Sequence, residues 1–329
     1  KSYVGSYVLG MGFTFDDSGP ADDETPGIPS PIAKMERLIA ENPKNADAIL
    51  PYVGGSEVNS SPTHAHRRYV INFGDRTEEE CWQEWPDLIK IVKNKVKPLR
   101  DGLKRDAYRE RWWQYAEKQS ALYAAIRDSE RVLVTSAAAV SHHMINSLKA
   151  DRVFSHKLIV FLEASSPRHM CMQSLFHEEW SRAFGATQGT ADALTYNPTD
   201  VFLGFPFPLE NSFSSDYPLT YTERRQQFLM DMQVGATTAY GMLHQPSADE
   251  RMIIEFRKFH DRANLEVANA YGWDEVPTAC GFGLDYLDLE DDARPGQSEI
   301  VVRPDLHQHL CQSMDFQGFG RLIESNGRW

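Results

Sequence analysis

The residues best suited to grip a polyanion lie between positions 90 and 113. Lys90, Lys93, Lys95, Lys97, Arg100, Lys104, Arg105, Arg109 and Arg111 face only Asp101, Asp106 and Glu110. Nine cations against three anions leave a surplus of six charges in a chain whose formal net charge is -13. The total argues against a nucleic-acid partner, because phosphate contacts need Lys and Arg. A charge distribution this polarised still allows one face to bind a polyanion, with a solvated helix face as the plain alternative. Within the same run, Arg109-Glu110-Arg111-Trp112-Trp113-Gln114-Tyr115 sets guanidinium groups beside aromatic rings. Arg can hold phosphate or stack, while two adjacent Trp usually include a core residue.

Other groupings read as structural. Gly10-Met11-Gly12-Phe13 is followed by Asp, Gly and Pro rather than by a helix, so it reads as a tight turn and not a cofactor loop. Asn197-Pro198-Thr199-Asp200 partly matches the Asn-Pro-Pro-aromatic motif of amino-methylating enzymes. It lacks the second Pro and the ring, and reads as a turn capped by Asn197 or Thr199. His64-x-His66 has the spacing of a strand-borne metal pair, but no framework of three or four converging ligands accompanies it. There is no Gly-x-Ser-x-Gly elbow. The four cysteines form no Cys-x-x-Cys pair, and Cys81 and Cys171 sit in apolar helical stretches as buried thiols.

The elements that position these residues form an α+β pattern. Tyr69 to Phe73, Arg131 to Val134 and Lys157 to Leu162 are short apolar, β-branched runs, expected as buried strands. Helices are expected over Pro31 to Glu41 with Ser30 as N-cap, Glu78 to about Leu99 with a break at Pro86, Ala116 to Arg127, and Met170 to Phe184 with Gly185 as C-cap. Beyond about Leu219 two consecutive helices are expected, Thr222 to Leu243 and Ser247 to Tyr271. The second would be capped by Ser247 with Glu250 and closed by Gly272. The division is a mixed α/β domain with short strands at 1-215, a helical hairpin at 216-283, and an acidic loop-rich tail at 284-329 with a short helix at Pro304 to Met314. No apolar run approaches the 18 residues of a membrane span, and no signal segment opens the chain. A reduced, cytoplasmic setting is expected. The strand-like start without Met reads as a chain cut from something longer.

The order of several fragments resembles one family. Gly5-Ser-Tyr-Val-Leu-Gly-Met-Gly-Phe13, Pro51-Tyr-Val-Gly-Gly-Ser-Glu-Val-Asn59 and Arg68-Tyr-Val-Ile-Asn-Phe73 are similar to the target-recognition region of MmeI-like DNA methyltransferases. So are Tyr108-Arg-Glu-Arg-Trp-Trp113, Phe154 to Phe161, Tyr196-Asn-Pro-Thr-Asp200, Phe205-Pro-Phe-Pro208 and Ala270-Tyr-Gly-Trp273. That group includes fused restriction-modification enzymes and the adenine methylase of DISARM phage-defence systems. The resemblance covers about residues 3-283. It implies the recognition half of an adenine-specific methyltransferase, non-catalytic by itself, with double-stranded DNA as partner. S-adenosylmethionine would serve a methyltransferase domain elsewhere in the parent, and defence-system proteins are possible further partners.

The resemblance also implies roles. Lys93, Lys95, Lys97, Arg100, Lys104, Arg105, Arg109 and Arg111 would hold phosphates. A variable stretch at 187-193 would read bases through Gln188, Thr190 and Asp192, and a second one at 136-146 through Ser141, His142, His143 and Asn146. On this reading Lys95→Ala weakens binding to every sequence alike, and Asp192→Ala relaxes one base. The competing expectations are a protein-interaction module of a defence complex without direct DNA binding, and a metal-dependent hydrolase using the histidines.

Overall fold

The computed structural model describes residues 1-138, 140-188, 193-273, 276 and 278. They form helices and small mixed sheets, an α+β fold in agreement with the sequence pattern. Two compact units divide the chain. One comprises Lys1–Val140 with Met144–Ala164, and the other Ser141–His143 with the chain from Ser165 onward. The compositional change near residue 216 lies inside the second unit. The acidic tail at 284-329, with its expected helix, is outside the described residues.

The first unit carries eight strands: β1 (Ser2–Val4), β2 (Thr14–Phe15), β3 (Ile49–Val53), β4 (Arg68–Ile71), β5 (Arg131–Ser136), β6 (Asn146–Lys149), β7 (Val153–Phe154) and β8 (Leu158–Phe161). They make two four-stranded sheets. One runs β1-β8-β5-β6 with antiparallel pairs throughout. The other runs β2-β4-β3-β7, where β3 and β7 are parallel with Tyr52 opposite Val153. Both Leu158–Phe161 and the interior of β5 are fully buried, which is why they read as unbroken apolar runs and not alternating ones. Its helices are α1 (Ile32–Glu41), α2 (Gly55–Ser60), α3 (Glu78–Glu84), α4 (Pro86–Lys95), α5 (Lys97–Arg100), α6 (Asp106–Glu110) and α7 (Ser120–Ile126). One core packs Phe13, Phe15, Val70, Ile71, Leu88, Ile89 and Val92 together, and a second packs Val53, Leu122, Ile126, Val134 and Val160.

Local chemistry sets the boundaries. Thr77 and Glu80 exchange hydrogen bonds at the start of α3, with Glu80 N donating to Thr77 Oγ1 at 3.2 Å and Thr77 N donating to Glu80 Oε2 at 2.7 Å. The expected break at Pro86 is present, and a second one falls at Val96, because Pro98 sits at the second position of a new turn. Pro31, not Ser30, precedes α1 as its cap residue. The Gly10-Met11-Gly12 segment is a turn. Gly10 has φ 136°, and a Cβ on Gly12 would lie 2.7 Å from the Lys95 Cβ.

In the second unit the single helix expected over Met170 to Phe184 is two, α8 (Ser166–Gln173) and α9 (Leu175–Phe184), because Ser174 is extended between them. A hairpin follows, β9 (Ala186–Gln188) antiparallel to β10 (Ala193–Thr195). The two later helices expected are three: α10 (Tyr217–Met232), α11 (Ala236–Leu243) and α12 (Arg251–Tyr271). Gln233 turns left-handed at φ 54° and splits the first of them. The box of Ser247 with Glu250 does not cap α12, whose cap residue is Glu250, while Gly272 closes it at φ 74° as expected. The stripe Phe256, Phe259, Ala263 and Val267 is buried with Tyr221, Leu229 and Tyr240. Among the described residues no helix is long and apolar enough to cross a membrane.

Candidate nucleic-acid interface

The basic run from Lys90 to Arg111 spans α4, α5 and α6, and the structure sorts its cations into three kinds. Lys95 and Arg100 face inward, with 0% and 1% of their surface exposed. The Lys95 ammonium donates to the Asp22 carbonyl and, at 3.2 Å each, to the Pro29 carbonyl and Ser30 Oγ. Arg100 Nη2 donates to the carbonyls of Val8 (2.7 Å) and Leu9 (3.1 Å), and Nη1 to those of Gln114 (2.5 Å) and Arg111 (3.3 Å). Burial lowers the Lys95 pKa and pulls Arg100 down to about 10. Both are therefore structural staples, which corrects their expected role as phosphate contacts. The signal was available for Lys95, because Leu88, Ile91, Val92, Lys95 and Val96 share one helical phase, and that phase is apolar.

A second kind is already neutralised. Lys97 pairs with Asp101 at 2.8 Å, Arg105 with Glu117 at 3.2 Å, and Arg109 with Asp106. Lys93 lies 5.5 Å over the Trp82 ring, beside an open cleft of about 590 Å³ that Asp23, Glu24 and Asp101 also line. That lining carries more acid than base and does not favour an anion. The third kind is Lys90, Lys93, Lys104 and Arg111, exposed and, among the described residues, without an acidic partner. Lys104 and Arg111 flank α6. Trp112 is buried, so its ring is no stacking platform, and the Trp113 indole N–H donates to the Arg76 carbonyl at 3.0 Å.

The two variable segments fare differently. Asn146 is buried in β6 of the first unit, where its amide donates to Asn59 Oδ1 at 3.2 Å. This corrects it as a base reader. Ser141–His143 belong to the second unit and are gripped one after another. Arg182 Nη2 donates to the Ser141 carbonyl at 3.1 Å, and Gln173 Nε2 to the His143 carbonyl at 2.9 Å. His142 Nδ1–H donates to Glu178 Oε1 at 2.9 Å, and the imidazoles of His142 and His244 stack at 3.5 Å and 6°. His143 is buried edge-on to Tyr196 at 5.0 Å. Burial corrects His143 as a base reader, while His142 is half-buried and bonded to Glu178, and Ser141 alone of the four is exposed. Gln188 ends β9, opposite Ala193, while Thr190 and Asp192 lie outside the described residues.

The anchors carry their own electrostatics. Burial alone would raise the Glu178 carboxyl, but the hydrogen bond and charge of His142, together with Arg182, hold it well below the usual range. Its neighbour Glu179, 3.6 Å from Arg182 Nε, is pushed up to about 7 by burial and by the charge of Glu178. Burial keeps His143 at about 4 and His177 and His244 at about 3, so all three are neutral at neutral pH. Sequence reasoning missed Glu178, Arg182 and His244. The spacing of Glu178 and Arg182 marks an ion pair on one helix face, but nothing marks its reach to Ser141.

His64 is buried in a left-handed conformation (φ 53°) with Nδ1 2.6 Å from the Val58 carbonyl. Among the described residues no group of three or more His, Cys, Asp or Glu is placed to hold a metal. The Gly10–Gly12 segment packs against Lys95 and leads into a single 3-10 turn at Met11–Phe13, not into an α-helix.

The comparisons place this fold. No protein-family model matches the sequence, and no curated protein matches it. Among solved structures the chain has a restriction-modification-enzyme-like fold. One similar structure is that of the Type IIL restriction-modification enzyme MmeI in complex with DNA, with a TM-score of 0.59 at 14% identity. The match covers 84% of this chain and 33% of that one, so the chain spans about a third of the length of the MmeI chain. At this identity the likeness concerns the fold.

Proposed function

We propose that this chain is the DNA target-recognition part of a restriction-modification or phage-defence methyltransferase specific for adenine. The observation that carries the reading is the fold shared over 84% of the chain with an enzyme solved on DNA. Recognition divides between two tasks. Lys104 and Arg111, with Lys90, hold phosphates and set register. Ser141 and the β9–β10 hairpin, through Gln188, Thr190 and Asp192, meet base edges in the major groove. Methyl transfer from S-adenosylmethionine to a flipped adenine belongs to a catalytic domain of the parent, and the setting is cytoplasmic.

The test is binding of the chain to a random duplex library over a salt series, with bound sequences recovered. Enrichment of one motif, with affinity falling as salt rises, is the expected result. Absence of binding at low salt overturns the reading. It would favour the second one, a protein-interaction module, which the exposed Leu203, Leu209 and Leu219 of the second unit support (66%, 71% and 63% exposed).

A further inference from the structure

The Ser141–His143 segment of the second unit and the strands β9 and β10 share one support, the helix α9. Ser141, His142 and His143 are each fixed by a separate bond, two of them to side chains of α9, Arg182 and Glu178. Arg182 also donates to Glu178 Oε1 at 2.7 Å, so the two anchors brace each other. The same helix carries both feet of the hairpin. Its C-terminus passes through Gly185, whose N–H donates to the Ser181 carbonyl at 2.9 Å, directly into β9. The other foot ends at Tyr196, whose hydroxyl is hydrogen-bonded to His177 Nε2 of α9 at 3.0 Å. The Tyr196 ring in turn supports His143. A glycine is required at the junction, since a Cβ there would lie 2.4 Å from the Ser181 carbonyl oxygen.

We propose that Glu178 and Arg182 are positioning residues that hold Ser141 where it meets a base pair, and that Tyr196 supports this segment through His143. The inference rests on the DNA-recognition reading above. A reader discriminates between bases only if its polar atom is held to within about half an ångström, because a loose side chain adapts to the wrong edge. Ser141 offers a hydroxyl that rotates freely, so its precision must come from a fixed backbone, and the Arg182 bond to its own carbonyl supplies that. The stacked His142 and His244 rings block lateral slip. Arg182 and Tyr196 act on one segment, so changes at the two combine non-additively.

The experiment uses the full chain with the duplex recovered from the library and each of its single-base variants. The variants are Arg182→Ala, whose side chain is a third exposed, Glu178→Gln, which keeps the shape of the His142 contact, and Tyr196→Phe. The readout is the ratio of affinities for the recovered site and its variants. This ratio is expected to fall about fivefold or more at one or two base positions in Arg182→Ala and Tyr196→Phe. Glu178→Gln should lose less, and the double variant Arg182→Ala/Tyr196→Phe should lose less than the product of the two. Equal weakening on every duplex with the ratio intact would assign these residues a merely structural role and overturn the inference. So would an unchanged ratio in the folded variants. If the wild-type chain binds no duplex at all, the failure lies with the recognition reading itself.

Discussion

Arg100→Ala separates the role read from the charge run from the role seen in the fold. The guanidinium satisfies four carbonyl oxygens, those of Val8, Leu9, Arg111 and Gln114, and sits 5.3 Å over the Phe13 ring. Truncation leaves four acceptors short of a donor, and the buried ones at Val8 and Gln114 each lose about 1–3 kcal/mol if no water replaces it. Against this, removing a buried cation recovers its desolvation cost, the same cost that depresses its pKa. Water will also reach part of the vacated space. The balance is a loss of about 3–5 kcal/mol, a large share of the roughly 5–15 kcal/mol of a typical domain. For a unit of this size that lowers Tm by about 10 °C. Urea unfolding followed by far-UV circular dichroism reads the loss as a lower midpoint at unchanged slope. DNA binding, measured where the variant is still folded, should keep its salt dependence. A variant with wild-type stability that binds every duplex more weakly would refute this reasoning and restore Arg100 as a phosphate contact.

Two further predictions follow from the same sorting of charges. Lys104→Ala and Arg111→Ala should each reduce the slope of log affinity against log salt by about 0.9, with little change in stability, whereas Lys95→Ala should leave the slope alone and lower the unfolding midpoint. The third concerns Glu179. Its folded pKa is raised to about 7, above the unfolded value, so its proton binds more tightly in the fold. The resulting stability is fully present below about pH 4.5 and lost as pH rises through 7. Glu179→Gln, which mimics the protonated form, should therefore raise Tm at pH 8 and lose that advantage by about pH 5. A pH-independent difference would show that Glu179 is ionised throughout.

What the sequence made legible depended on how local the cause was. The strands around Val70, Val132 and Val160 were readable because an unbroken β-branched run has few alternatives to burial. Gly272 was readable because a helix end asks for one left-handed residue. The helix over Met170 to Phe184 was misread because its break at Ser174 has no Pro or Gly to announce it. Instead the Ser174 hydroxyl bonds the Cys171 carbonyl, and the Leu175 N–H donates to Asn264 Oδ1, 89 residues away.

The basic run shows the same rule at the candidate site. A surplus of positive charge reports a binding face only if the cations point outward and lack partners, and composition fixes neither. Lys95 could be placed by helical phase, since its neighbours at three and four positions are apolar. Arg100 could not, because the carbonyls it serves at Val8 and Leu9 lie 92 and 91 residues away. Ser141–His143 raise the same difficulty in reverse, for their histidines resemble readers by type, yet His143 is buried and His142 is bonded to Glu178 and stacked on His244. Residue types able to recognise a base are the same ones able to hold a loop still. Only the partner across the fold decides between the two roles, and here that partner is a single ion-paired helix face, Glu178 with Arg182, on which the discrimination by Ser141 should depend.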